Sequence, residues 1–163
     1  MKLPQVIQHK IYNSKEILFQ VNRWKLLDKT ISFTNGCFDI LHPGHIASLS
    51  DAAREADFLV VGLNSDRSAH RLKGEGRPVM DEKSRAMMLA SLLIVDAVVI
   101  FDEDTPLDLI ETIKPDVLVK GGDYTIEQIV GAKEVISAGG RVVINPILEG
   151  FSTTGLIGKI NKL

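Results

Sequence analysis

A chain of 163 residues, 45% of them hydrophobic and 25% charged, has the composition of one soluble globular domain. A formal net charge of −2 and a pI near 6.1 speak against bulk electrostatic association with nucleic acid or anionic membranes, though not against a local basic pocket. The single cysteine, Cys37, excludes an intramolecular disulfide framework and fits a reducing compartment. Residues 1–20 carry Lys2, His9, Lys10, Lys15 and Glu16 without an unbroken apolar stretch, and no run reaches the ~20 apolar residues of a membrane span. A cytoplasmic protein is expected.

In chain order, an amphipathic helix over Ser14–Leu26 comes first, within an N-terminal helical extension (1–28) that precedes a domain at 29–163. Its apolar face is expected to pack on a sheet or on a second subunit. Five β-branched apolar runs follow: Thr30–Thr34, Phe58–Asn64, Ala97–Phe101, Asp116–Lys120 and Arg141–Asn145. Continuous apolar runs, as opposed to strict alternation, mark strands buried on both faces of a parallel sheet. Helical patterns occupy 43–56, 81–94, 105–113, 125–138 and 153–162, with Asp81, Asp104 or Thr105, and Thr125 as N-caps and Gly139-Gly140 as a stop. Alternating strands and helices predict an α/β, Rossmann-like, doubly wound domain with a five-stranded, mostly parallel sheet and helices on both faces. The segment Asp66 to Met80 reads as a long, basic, irregular loop on the sheet edge where such folds bind ligands.

The chemistry concentrates after the first strand. His42-Pro43-Gly44-His45 places two imidazoles between a strand end and a helix start, where free backbone N–H groups and the positive helix end favour phosphate. Local capping and metal ligation are the rival readings; a metal needs a third and usually a fourth ligand, with only Asp39 and Cys37 near in sequence. Next, Lys73 and Arg77 flank Gly74 and Gly76, a mobile point charge and a planar fork suited to polyphosphate, with Arg67 and Arg71 just before them. Arg85, beside Glu82 and Lys83, reads first as a helix-face ion-pair residue and second as a phosphate contact. Lys120-Gly121-Gly122-Asp123 ends the fourth run, either as a plain turn with an Asp cap or as a place where backbone meets base or ribose. Ser152-Thr153-Thr154 caps the last helix, and the same hydroxyls can grip outer phosphates. A Gly-x-x-x-x-Gly-Lys-Ser/Thr loop, a Gly-x-Ser-x-Gly elbow and a Cys-x-x-Cys pair are all absent, which removes the main support for ordinary kinase, hydrolase and dehydrogenase readings.

His42-Pro43-Gly44-His45 matches the His-x-Gly-His signature of the nucleotidylyltransferase superfamily, and Ser152-Thr153-Thr154 resembles its second, C-terminal signature. Residues 33–42, Asn64-Ser65-Asp66, Arg71-Leu72-Lys73-Gly74-Glu75, Arg77-Pro78-Val79 and Val119-Lys120-Gly121-Gly122-Asp123-Tyr124 resemble the adenylyltransferases that act on D-glycero-β-D-manno-heptose 1-phosphate. That resemblance runs from about Ser14 to the C-terminus. It implies transfer of AMP from ATP, with Mg²⁺, to the sugar 1-phosphate by direct attack, releasing pyrophosphate and forming ADP-heptose for lipopolysaccharide or surface-glycan precursors. It further implies that His42 and His45 stabilise the α- and β-phosphates and that Lys73 neutralises the transition state. Thr34, Asn35, Gly36, Phe38 and Gly44 line the nucleotide pocket on this reading; Asp123 lies near the ribose, and Ser152, Thr153 and Thr154 hold the outer phosphates. Asp39, Asn64, Asp66, Arg71, Arg77, Arg85, Lys120 and Gly122 are further candidates for substrate or phosphate contact, and no protein ligand to a metal is assigned. A homo-oligomer, a dimer or larger, and a separate upstream sugar kinase are expected. Where many members carry Arg or Lys in the last helix, this chain has Gly155 and Gly158, with Lys159 the nearby cation. Each glycine costs a helix about 1 kcal/mol relative to alanine, so ordering of that helix is expected to depend on ATP. A cytidylyltransferase for glycerol 3-phosphate and a non-catalytic nucleotide-binding module are the alternatives.

Overall fold

The computed structural model describes residues 4–148, 150–160 and 162. Its strands are β1 (Ile11–Tyr12), β2 (Ile31–Gly36), β3 (Phe58–Asn64), β4 (Ala97–Phe101), β5 (Val117–Gly121) and β6 (Arg141–Asn145). They form one six-stranded sheet in the order β1-β4-β3-β2-β5-β6, and every neighbouring pair is parallel. The five apolar runs are all strands; the sixth strand, β1, is a two-residue edge too short to leave a pattern in sequence.

Helices cover both faces. The residues α1 (Ser14–Leu26), α5 (Leu107–Ile113) and α6 (Ala132–Ser137) bury Ile17, Val21, Trp24, Ile110 and Val135 against Ile31, Phe33, Val60 and Leu118. On the other face, α2 (Pro43–Ala53) and α4 (Glu82–Ala90) bury Leu49, Ala52, Ala86 and Leu89 against Leu59, Val61, Leu63 and Val119. Successive strand residues alternate between the two cores, as the pleat requires, and because both faces are covered the strand centres are mostly apolar on both sides. α1 therefore packs on the sheet, held at its start by a capping box between Asn13 and Glu16.

Three helical expectations are corrected. Asp66–Lys73 is a helix, α3, and not the start of an irregular loop: Ser65 caps it by accepting from the Ser68 amide, and Gly74 at φ 86° ends it. The 125–138 stretch is two pieces, a 3₁₀ turn at Ile126–Gln128 and then α6, because Gly131 adopts φ 86° between them. α5 starts after Pro106, whose carbonyl accepts from Ile110 N, so neither Asp104 nor Thr105 is its cap. The last helix, α7, runs Thr153–Ile160 with none of its residues buried; Asn161, within the expected 153–162, lies outside the described residues.

Candidate active site

After β2 the chain builds outward to β3 and β4; on the other side of β2 lie β5 and β6. The carboxyl ends of β2 and β5 thus mark the point where strand order reverses, the position at which open parallel sheets receive ligands. A cavity of about 450 Å³ opens there. It is lined by Thr34, Asn35, Gly36, Phe38 and Asp39 from the end of β2, by His42, Gly44 and His45 at the start of α2, by Lys73, Arg77 and Lys120, and by Ser152, Thr153 and Thr154. Fourteen sequence-selected residues, far apart along the chain, share one wall.

The loop after β2 is tightly wound. Phe38 and Ile40 have φ of 45° and 52°, left-handed values that cost a residue with a Cβ on the order of 1 kcal/mol or more. Asp39 between them holds the turn: its buried carboxylate accepts from Arg77 Nε (2.7 Å), Val79 N (2.9 Å) and Met80 N (3.1 Å). Burial pushes its pKa up, but these three donors outweigh it and hold the carboxyl below the usual range. The carbonyl of Asp39 accepts from Thr153 Oγ1 at 2.7 Å, which ties the start of α7 to the same loop.

The histidine rings stack, with centroids 3.8 Å apart and planes 18° from parallel, and Phe38 meets His45 edge-on at 5.4 Å. His42 caps α2, its Nδ1 accepting from His45 N at 3.4 Å. In the neutral ring that leaves the proton on Nε2, a donor. Burial lowers the pKa of both rings; for His45, burial and the adjacent His42 bring it to about 4. At neutral pH the pair therefore consists of two uncharged N–H donors. Gly44 permits this packing, since a Cβ there would sit 3.0 Å from the His42 ring and 3.2 Å from Phe151 Cβ.

Lys120 reaches Asn35 Oδ1 at 3.0 Å, and burial, reinforced by the nearby Lys73 charge, lowers its pKa despite the pull of Cys37. An arriving phosphate would offset that burial. The Cys37 thiol is pushed up by burial against the opposing charges of Lys73, Arg85 and Arg77, which keeps it protonated and a poor nucleophile. Behind Lys73 and Lys120 lies a second cavity of about 340 Å³, which shares Asn35, Gly36, Cys37, Lys73 and Lys120 with the first and includes Asn64.

Other candidates lie elsewhere. Arg85 is not a helix-face residue: its side chain is wholly buried, donating to the carbonyls of Met80 (2.9 Å), Cys37 (2.6 Å) and Asn64 (2.9 Å) and to Asp66 Oδ1 (2.7 Å). Arg85 and Asp66 thus join β2, β3, α3 and α4, and face neither cavity. Arg71 pairs with Asp104 (2.7 Å) and with the carbonyl of Asp102, and Arg67 with Asp102. Asp123 is exposed and Gly122 buried at φ 131°, and neither lines a cavity. Lys159 sits in the last turn of α7, away from both. Sequence reasoning missed Ser48, Phe151 and Pro146 to Leu148 on the first cavity; the last three follow β6 directly, so the carboxyl-end rule alone could have found them.

Among the described residues no three His, Cys, Asp or Glu side chains gather as a metal cage would need, and the Asp39 carboxylate is already engaged. The cavity offers imidazole N–H groups, amines and hydroxyls, a donor set made for phosphate oxygens.

Comparison with known proteins gives the class of this site. Residues 33–158 match the cytidylyltransferase-like family model. The chain belongs to the cytidylyltransferase-like family. It is 57% identical over 154 residues to the bifunctional protein HldE of Koribacter versatilis, covering 94% of this chain and 32% of that one. It is also 58% identical over 151 residues to HldE of Nitrobacter hamburgensis, covering 92% and 31%. The chain thus spans about a third of the length of these relatives. Among solved structures, a lipopolysaccharide core biosynthesis protein from Thermoplasma volcanium superposes with a TM-score of 0.59 at 30% identity, covering 74% of this chain and 97% of that one. Pantoate–β-alanine ligase from Francisella tularensis, at 16% identity and TM-score 0.59, covers 94% and 78% and shares the fold. No helix among the described residues is long and apolar enough to cross a membrane.

Proposed function

We propose that the chain transfers AMP from ATP to D-glycero-β-D-manno-heptose 1-phosphate. The observation that carries this reading is the pair of cavities meeting at Lys73 and Lys120, one built for a polyphosphate and the other able to take an acceptor body. The identity to HldE proteins over most of the chain favours the heptose over other acceptors. An acceptor phosphate at the shared wall has an oxygen directed at the α-phosphorus. That oxygen forms the new P–O bond while the bond from the α-phosphorus to the α,β-bridging oxygen breaks, and pyrophosphate leaves with the electron pair. His42 and His45 donate to the phosphate oxygens as their charge grows, and Lys73 neutralises it; no side chain is a nucleophile. When bound with the triphosphate, Mg²⁺ would lower the charge that His42, His45, Lys73 and Lys120 must offset, with no side chain assigned to hold it.

The test is a matrix of ATP and CTP against heptose 1-phosphate and glycerol 3-phosphate, read as pyrophosphate release. Release with ATP and the heptose alone is expected. Turnover with CTP and glycerol 3-phosphate would overturn the substrate assignment, and nucleotide binding without any turnover would overturn the reaction.

A further inference from the structure

The second cavity carries groups that phosphate chemistry does not use. Beyond Lys73 and Lys120 its walls include Asp104 and Thr105, after β4, and Tyr124 and Gln128, after β5. Its volume of about 340 Å³ falls in the range of small-ligand sites, roughly 300–1,000 Å³. Both loops leave carboxyl ends of the sheet, so they stand beside the wall that an acceptor phosphate would occupy.

Two of these side chains are already oriented by the protein. Asp104 Oδ1, on an exposed side chain, accepts from Arg71 Nε at 2.7 Å, which favours one orientation of the carboxylate and leaves Oδ2 to accept again. Gln128 Oε1 accepts from Thr125 N at 2.9 Å, closing a capping box and leaving the Nε2 amide to donate. An acceptor and a donor oriented on one cavity form a complementary pair for a hydroxyl-rich, uncharged body. Tyr124 stands beside them because residue 122 is glycine: a Cβ there would lie 2.7 Å from the tyrosine ring.

We infer that Asp104 and Gln128 determine acceptor specificity by hydrogen bonding to the sugar hydroxyls of the acceptor while Lys73 and Lys120 hold its phosphate. The inference rests on the sugar-phosphate reading above and adds to it the residues that tell one sugar from another. A site built to bond a hydroxyl discriminates strongly against an analogue lacking it, because its own polar groups are then left unpaired.

The test uses substitutions that keep the structural bonds. Gln128→Glu retains an oxygen for Thr125 N but removes the donor; Asp104→Asn retains an oxygen for Arg71 but removes a charged acceptor. Steady-state kinetics with ATP and heptose 1-phosphate, thermal unfolding, and calorimetric titration of heptose 1-phosphate into enzyme saturated with a non-hydrolysable ATP analogue would be measured for each. The expected result is a KM for the sugar phosphate raised about 10- to 100-fold, with the KM for ATP and the unfolding temperature unchanged. The wild-type preference for heptose 1-phosphate over mannose 1-phosphate, which lacks the seventh carbon and its hydroxyl, is expected to shrink in at least one variant. If the wild type turns over the heptose and both variants keep its KM within twofold, the specificity assignment is overturned while the reaction stands. If the wild type neither turns over nor binds heptose 1-phosphate, the substrate reading fails and this inference with it.

Discussion

Arg77 donates through Nε to the buried carboxylate of Asp39 at 2.7 Å, joining the loop after β2 to the chain that follows α3. The same carboxylate accepts two amides from Val79 and Met80. One acid thus fixes the conformation that presents the histidines and the position at which the basic segment returns to the sheet.

Replacing that acid should be costly. In Asp39→Asn the amide nitrogen must face an N–H or a guanidinium donor, and Arg77, only 14% exposed at its side chain, loses its counter-charge. Breaking a buried pair from one side typically costs on the order of 3 kcal/mol. Urea denaturation is expected to show a loss of that size, with activity falling in parallel. A midpoint unchanged from wild type would contradict the role of this bond.

His45 ties stability to pH. Its folded pKa of about 4 lies below the unfolded value near 6.5, so the unfolded chain binds the extra proton between them. The contribution is present in full above pH 6.5 and is lost as pH falls towards 4. Thermal unfolding of His45→Gln followed across that window should decline less steeply than wild type. Binding of ATP, whose negative charge favours the protonated ring, should raise the His45 pKa in an NMR titration.

Lys73 is expected to act in the transition state more than in ground-state binding. Lys73→Gln should lower kcat on the order of 10²–10³-fold, with a much smaller change in the KM for ATP. A variant whose KM alone rises would make Lys73 a binding residue only.

Gly62 offers a change confined to packing. It lies in β3, and a Cβ there would be 2.8 Å from Phe33 Cζ. Gly62→Ala should cost about 1–3 kcal/mol by overpacking, with the kinetic constants of the folded enzyme retained. Activity lost at full stability would show instead that the β2–β3 register feeds directly into the site.

Much of this was legible in sequence because a sheet covered on both faces leaves unbroken apolar runs, as in Phe58–Asn64. The histidine pair was legible because Pro43 and Gly44 announce a helix start. α3 escaped detection because Ala69 and Leu72 are its only apolar residues, although Ser65 and Gly74 were present as caps. Arg85 was misread for a different reason. A buried charge is made tolerable by partners that folding brings from 19 to 48 residues away, such as Asp66 and Cys37, and a local pattern does not contain them.

The anchoring of Arg77 has a consequence for Lys73, which ends α3 four residues earlier. Gly74 and Gly76 lie between them, and a Cβ at either would meet no atom within 4 Å, so both point into open space. Four Cα steps reach roughly 14 Å at full extension. The backbone carrying Lys73 is thereby leashed to the rim of the cavity at both ends, by α3 and by Asp39. Its amine is thus kept within side-chain reach of both cavities, whose shared wall it lines.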